Sequence, residues 1–279
     1  TNDVFPTAMR LASISMLKQF LPTLNRLEVA LKAKGEEFYH VLKSGRTHLQ
    51  DATPIRLGQE FMGYSVCIKK NVHRIEMASE GLYELGIGGT AVGTGMNSHP
   101  LYREMVIEEL RKETGLDLRG CDDLRESMQS MTTFVALSGA LKGISLDLIR
   151  IANDLRLLSS GPMTGLREIV LPAVQAGSSI MPGKVNPSMA EMLNMVCFQV
   201  TGNDLTISMA SQAGQLELNV MMPVISHNLL QSIKILNSGI SAFTERCVSG
   251  IKADRDRCRE FAGKSLGIVT ALAPHIGYE

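Results

Sequence analysis

The sequence predicts an all-α fold, a bundle of long helices, and three observations carry that prediction. Apolar residues recur at three- and four-residue spacing over several long segments. Strand signals are nearly absent, and only 167-REIVLP-172 offers a short hairpin edge. Stretches rich in Gly, Pro, Ser and Asn separate the apolar patterns.

The elements follow in order. Residues 7–42 place Leu11, Ile14, Leu17, Leu21, Leu24, Leu27 and Leu31 on one helical face, and Pro22 is expected to kink or break that helix. The segment 43-KSGRTHLQDATP-54 reads as a polar loop, and a second helix is expected from about 55 to 85. The run 86-GIGGTAVGTGMNSHP-100 holds five glycines and ends in Pro, so it reads as a tight structural loop, with Thr94 and Asn97 able to approach a site. It lacks the endings of a phosphate-binding loop and the strand that precedes a dinucleotide fingerprint. A short helix over 102–113 stops near Gly115. The longest pattern, 122–159, starts at a cap from Asp122 or Asp123 and ends before Gly161-Pro162. Helical spacing returns from Pro187 to about Met209 and again from 220 to 248. Two short helices, 254–261 and 264–272, close the chain, the first capped by Asp254.

A helix of thirty residues spans about 45 Å, and its apolar face is buried only against neighbours of similar length. With a mean hydropathy of +0.07, some of those neighbours are expected to belong to other subunits. The chain's 28 basic and 28 acidic residues cancel, which removes the electrostatic case for nucleic acid or an anionic membrane as partner. Aromatics make up 5% and Trp is absent, so platforms for base stacking are not expected. No run of about 18 apolar residues suggests a membrane span, and no secretory signal is seen. Cys67, Cys121, Cys197, Cys247 and Cys258 are scattered without CxxC pairing, which reads as free buried thiols in a reducing cytoplasm. The sixteen methionines read as core packing. His40, His73, His99 and His275 read as ordinary surface or loop histidines, and His227 is given no role. The chain opens on TNDVFPTAMR, which reads as a truncated or processed start.

Three polar segments could do chemistry. In 176-AGSSIMPGKVNPSMAE-191, Gly177 and Gly183 allow a lid to close. Ser178 and Ser179 supply hydroxyls there, and a Ser oxygen becomes a base only when backbone N–H groups and a nearby cation hold it as an oxyanion. Lys184 could be that cation or could bind a carboxylate, and Asn186 offers an amide to the same anion. In 45-GRTHLQDATP-54, Thr47 pairs a hydroxyl with His48, whose ordinary pKa lies nearest neutrality. Glu191 could orient and charge His48 where the two meet. In 1-TNDVFPT-7, Thr1 and Asn2 could bond a small polar ligand. Taken singly, each segment reads better as a surface loop or helix cap.

Taken together they resemble the fumarase/aspartase superfamily of lyases. The loop GSSIMPGKVNP closely matches that family's GSSxMPxKxNP signature. TNDVFPTA, GRTHLQDATPIRLGQEF, GTGMN, NDLRLLSSGP, GNDLTISMASQAGQLELNVMMPV and IVTALAPHIGY resemble it as well, in order and over essentially the whole chain. The resemblance implies that residues 1–279 are the central helical domain, with the family's N-terminal and C-terminal domains absent. It also implies a homotetramer with a core of long helices and active sites shared among three subunits. Its chemistry is removal of a proton beside a carboxylate, an aci-carboxylate intermediate, and expulsion of ammonia or water to give fumarate from a small dicarboxylate, with no cofactor or metal.

Carried onto this sequence, Ser178 is the implied base, and Lys184 and Asn186 hold the substrate carboxylate. Thr47 and His48, with Glu191 as partner, contact the other carboxylate or the leaving group, and Thr1 and Asn2 complete the pocket. AGQLELNVMMP looks closer to aspartases, HNLLQSI and FTERC at least as close to fumarases, and Met222 replaces an acidic residue common in aspartases. The expected reaction is elimination of ammonia from L-aspartate, with hydration of fumarate as the alternative. A recruited, non-catalytic scaffold is a third possibility, although the site residues all survive together.

Overall fold

A computed structural model describes residues 2–271 and 277. Thr1 and His275 lie outside the described residues. Helices dominate, as expected. The first, α1 (Val4–Glu37), runs through Pro22 without a break. Pro22 removes only the bond to the carbonyl four residues earlier, and the flanking Leu17, Phe20, Leu24, Leu27 and Leu31 are all buried.

The first departure comes next. The segment expected as a loop is an antiparallel hairpin of β1 (Leu42–Thr47) and β2 (Gln50–Arg56). Beyond it, α2 (Leu57–Ser79) leads through a 3-10 turn to β3 (Glu84–Leu85). The Gly-rich run then forms the expected loop before α3 (Tyr102–Thr114). Gly115 ends α3 in the left-handed conformation, φ 64°, and its N–H donates to the Arg111 carbonyl. The short β4 (Arg119–Gly120) pairs in parallel with β3.

The expected single helix over 122–159 is two. α4 (Leu124–Gln129) is capped by Asp123, whose carboxylate accepts from the N–H groups of Arg125 and Glu126. Ser130 is extended (φ −82°, ψ 124°), and α5 (Thr132–Leu158) begins afresh. Ser130 Oγ lies 2.9 Å from Thr132 Oγ1, a local hydroxyl contact of the kind that competes with helical backbone. β5 (Ile169–Val170) falls in the predicted strand segment, but it pairs with the distant β6 (Lys252–Ala253) instead of forming a local hairpin. Between them lie α6 (Ser188–Gln212) and α7 (Met222–Arg246). α8 (Arg255–Lys264) opens on the expected Asp254 cap, and Leu266–Ala271 is a 3-10 turn instead of an α-helix.

The described chain divides into two compact units. One comprises Thr1–Thr23, Lys70–Leu146 and Val196–Ser238; the other Leu24–Lys69, Asp147–Met195 and Gly239–Glu279. Along α5, Phe134, Leu137, Leu141, Ile144, Leu148, Ile151 and Leu155 alternate three- and four-residue steps, and each is 0% exposed. The methionines divide: Met9, Met128, Met131 and Met222 are buried, while Met77, Met96, Met105, Met163, Met195 and Met209 are exposed, so core packing accounts for only part of the set. Cys121, Cys197, Cys247 and Cys258 are free and buried, and Cys67 is half-buried. Burial pushes the thiols of Cys197, Cys247 and Cys258 up to about 12. Among the described residues, no helix is long and apolar enough to cross a membrane.

Truncating the centre of the α5 stripe, Leu148→Ala, should cost about 2–5 kcal/mol in urea unfolding. The exposed Lys112→Ala should stay within about 0.5 kcal/mol of the parent.

Candidate active site

The loop ahead of α6 is closed at its neck. Ser178 N–H donates to the Lys184 carbonyl at 3.1 Å, and Lys184 N–H to the Met181 carbonyl at 3.2 Å. Gly183 supplies the left-handed turn, φ +75°, that this return requires. Inside the neck the Ser178 hydroxyl oxygen accepts backbone N–H groups from Ile180 (3.3 Å) and Met181 (3.1 Å). Two fixed donors aimed at one oxygen favour its ionised form, as in an oxyanion hole. The turn that shapes the loop therefore also sets the electrostatics at the Ser178 oxygen.

Lys184 and Asn186, on the returning limb, line a cavity of about 600 Å³. The C-terminal end of α5 contributes Arg156, Ser159 and Ser160 to the same wall. Arg167, next to β5, and Lys252, on β6, add to its polar lining, which contains no carboxylate among the described residues. Two of the four cations are compensated, Arg156 by Glu191 at 3.7 Å and Arg167 by Asp254 at 3.3 Å. Lys184 and Lys252 have no ion pair among the described residues, so the cavity keeps uncompensated positive charge. A small dianion is the complementary guest.

Thr47 and His48 sit at the exposed tip of the β1–β2 hairpin. His48 and Leu49 form a two-residue turn with φ of 55° and 59°. Both central residues of this turn type need positive φ, which is why Asn-Gly normally fills it. A non-glycine residue held there costs on the order of 1–3 kcal/mol. Neither Thr47 nor His48 makes a side-chain hydrogen bond or ion pair among the described residues.

Glu191 occupies the first turn of α6, where its charge suits the helix dipole. Its partner within the chain is Arg156, and among the described residues His48 and Glu191 share no hydrogen bond or ion pair. Arg156 is braced by Asn153 Oδ1 at 3.0 Å, which also accepts from Asn194 Nδ2 at 2.8 Å. Asn2 lies by a different cavity, of about 530 Å³, lined also by Asp3, Thr90, Ser98, His99 and Tyr102. It donates to the Ala91 carbonyl at 2.8 Å, and the buried Asp3 carboxylate accepts from the N–H groups of Gly88 and Thr90, both at 3.2 Å. The Gly-rich loop is thus held by its neighbours in the TND motif.

The structure brings Ser178, Lys184 and Asn186 into one loop with Glu191 just behind it. Thr47 and His48 stand together elsewhere in the same unit, and Thr1 is outside the described residues. Sequence reasoning gave no role to Arg156, Ser159, Ser160, Arg167 or Lys252. Of these, only NDLRLLSSGP carried a signal, as a family motif.

Residues 1–202 match the sequence profile of a family described as lyase, and the chain belongs to that family. It is 51% identical to aspartate ammonia-lyase of Bacillus subtilis (strain 168) and 47% identical to that of Helicobacter pylori (strain ATCC 700392 / 26695), in each case over the whole chain. Identity to class II fumarate hydratase of Methylorubrum extorquens is 48%. The chain spans 59% of the first relative's length and 60% of the second's. Among solved structures, a fumarate lyase:delta crystallin from Brucella melitensis bound to cobalt superposes with a TM-score of 0.97 at 49% identity, covering 99% of this chain and 60% of that one. A recombinant class II fumarase from Schistosoma mansoni gives 0.92 at 41%, covering 99% and 61%.

Relief of the strained turn provides a check on the hairpin geometry. Leu49→Gly should raise stability by about 1 kcal/mol, read as a higher Tm, because a left-handed Leu is replaced by the residue that adopts that conformation freely.

Proposed function

We propose that the protein containing this chain eliminates ammonia from L-aspartate to give fumarate. The observation that carries the reading is the Ser178 oxygen held by two backbone N–H groups, in a loop whose Lys184 and Asn186 line a cavity with uncompensated positive charge. Ser178 takes the proton from the carbon next to one carboxylate. Negative charge then accumulates on that carboxylate as an aci-carboxylate, and Lys184 and Asn186 stabilise it where it develops. Collapse of the dianion expels ammonia from the neighbouring carbon. Thr47 and His48, paired with Glu191 of another subunit, and Thr1 and Asn2 hold the rest of the substrate. The proposed chemistry uses side chains and backbone only, without cofactor or metal.

The relatives named aspartate ammonia-lyase support ammonia as the leaving group; the class II fumarate hydratase supports water as the alternative. In the same proposal residues 1–279 form the central helical domain of a longer, cytoplasmic enzyme, a homotetramer that shares each site among three subunits. Free, largely buried thiols suit a reducing compartment. The outer face of α6 supports association: Phe198 (59% exposed), Leu205 (65%) and Met209 (57%) share a seam with Gly202, in four- and three-residue steps. That spacing suits packing against another long helix.

Two experiments on the full-length protein test the proposal. Fumarate absorbance is followed with L-aspartate and, separately, L-malate. Turnover of aspartate alone is expected; turnover of malate alone transfers the chain to the hydratases, and turnover of neither overturns the aspartate reading in favour of a recruited scaffold or another amino-acid substrate. Ser178→Ala should lower kcat by about 10²–10⁴-fold with the assembly intact. Separately, Leu205→Glu should shift the protein to smaller species in size exclusion with light scattering, whereas an unchanged mass would rule out the α6 seam as a subunit contact.

A further inference from the structure

The side chains of Thr47 and His48 at the strained tip make no hydrogen bond or ion pair among the described residues, so what fixes the tip lies at the root of the hairpin. A left-handed pair of non-glycine residues persists where the surrounding structure over-determines it. The root supplies that constraint through charge. Arg46, adjacent to Thr47, directs Nη1 to both carboxylate oxygens of Glu168 at 2.9 Å. Lys43, 1% exposed on the same strand, reaches Glu168 at 3.0 Å and Glu60 at 2.7 Å. The pairing register shifts between Ser44 and Arg46. Gly45 makes that irregularity possible, because a Cβ there would stand 2.5 Å from the Thr53 carbonyl oxygen. Such a bulge re-aims the residues beyond it.

Glu168 is itself held from several directions. It is 0% exposed, and its N–H donates to the Leu158 carbonyl at 2.8 Å. Its carbonyl accepts from Asp254 N–H at 3.0 Å and from Cys258 Sγ at 3.5 Å. Its chain neighbours Arg167 and Ile169 both line the cation-rich cavity. One carboxylate therefore links the root of the hairpin to the wall of the cavity.

We infer that Glu168 is a positioning residue that acts through Arg46 to set where Thr47 and His48 stand relative to that wall. The catalytic consequence rests on the reading of Thr47 and His48 as active-site residues; the geometric consequence does not. A misplacement of about 1 Å in such a group lowers turnover about 10²-fold without removing any reacting atom.

The test uses the full-length enzyme as Arg46→Met, Glu168→Gln, Arg46→Lys and Glu60→Gln variants. Amide hydrogen exchange at residues 46–50 is read alongside kcat and KM for L-aspartate and L-malate. Arg46→Met should speed exchange at 46–50 by about tenfold while leaving α2 unchanged. It should also lower kcat by about 10–100-fold with KM moved by less than about threefold. Arg46→Lys, which keeps a cation on Glu168, should recover most of both. Glu60→Gln should behave like the parent, because Lys43 retains Glu168. Where Glu168→Gln does not fold, Arg46→Met carries the test. Parental exchange and kcat in Arg46→Met overturn the inference. So does faster exchange throughout the chain, or an equal loss in Glu60→Gln, either of which marks general stability. A parent inactive on both substrates, with faster exchange confined to 46–50 in Arg46→Met, supports the geometry and sinks the catalytic reading instead.

Discussion

Two cations, Lys43 and Arg46, meet the carboxylate of Glu168 in the interior of one unit with Glu60 beside them, and the placement of the hairpin tip rests on the Glu168 pairing. Lys43 and Glu168 are almost wholly buried, and burial pushes the Glu60 carboxyl up while Lys43 pulls it part of the way back. Charges removed from water are poor sources of net stability, and apolar residues of similar volume would often serve as well. What ions add is selectivity: an apolar strand tolerates a slide along its neighbour, whereas a cation displaced from its carboxylate inside the protein is left unpaired at several kcal/mol. The flanking helices are held by apolar stripes, which fix spacing more strongly than register. The hairpin, without such a stripe, is held by Lys43 and Arg46 on the carboxylate of Glu168.

That difference explains which parts of the fold were legible in the sequence. The helices were, because a stripe such as Phe134, Leu137, Leu141 and Ile144 writes its period directly into the chain. The hairpin was not. Its inward positions include Lys43 and Ser44, both 1% exposed, and its turn is His-Leu where Asn-Gly would have announced it. The break at Ser130 was hidden because apolar spacing continues across it. At the site, the loop over 176–191 was visible through its glycines, prolines and serines, and its Lys and Asn could be named. The cavity wall was not visible, since Arg156, Arg167 and Lys252 come from three separated segments that only the β5–β6 pairing and the end of α5 bring together.

The cavity cations also differ in kind. Arg156 and Arg167 are committed to Glu191 and Asp254, so their charge is largely spent on the protein. Lys184 and Lys252 are not. A compact ammonium on a flexible stem can follow charge as it moves between oxygens, while a paired guanidinium acts as fixed scaffolding. Arg156 further ties Glu191 to Asn153 and Asn194, so the acid behind the loop is placed by a polar network whose inner member, Asn194, is 5% exposed.

The Ser178 turn separates chemistry from side-chain identity. Its hydroxyl oxygen is held by the peptide N–H groups of residues 180 and 181, while the side chains at those positions, Ile180 at 85% exposed and Met181 at 50%, face outward. Any residue other than proline provides the same N–H. Substitution at these two positions can therefore change what the loop's outer surface touches, and still leave unchanged the dipoles that bear on the serine oxygen. Evolution is free to retune the cover of the loop without disturbing what holds its serine.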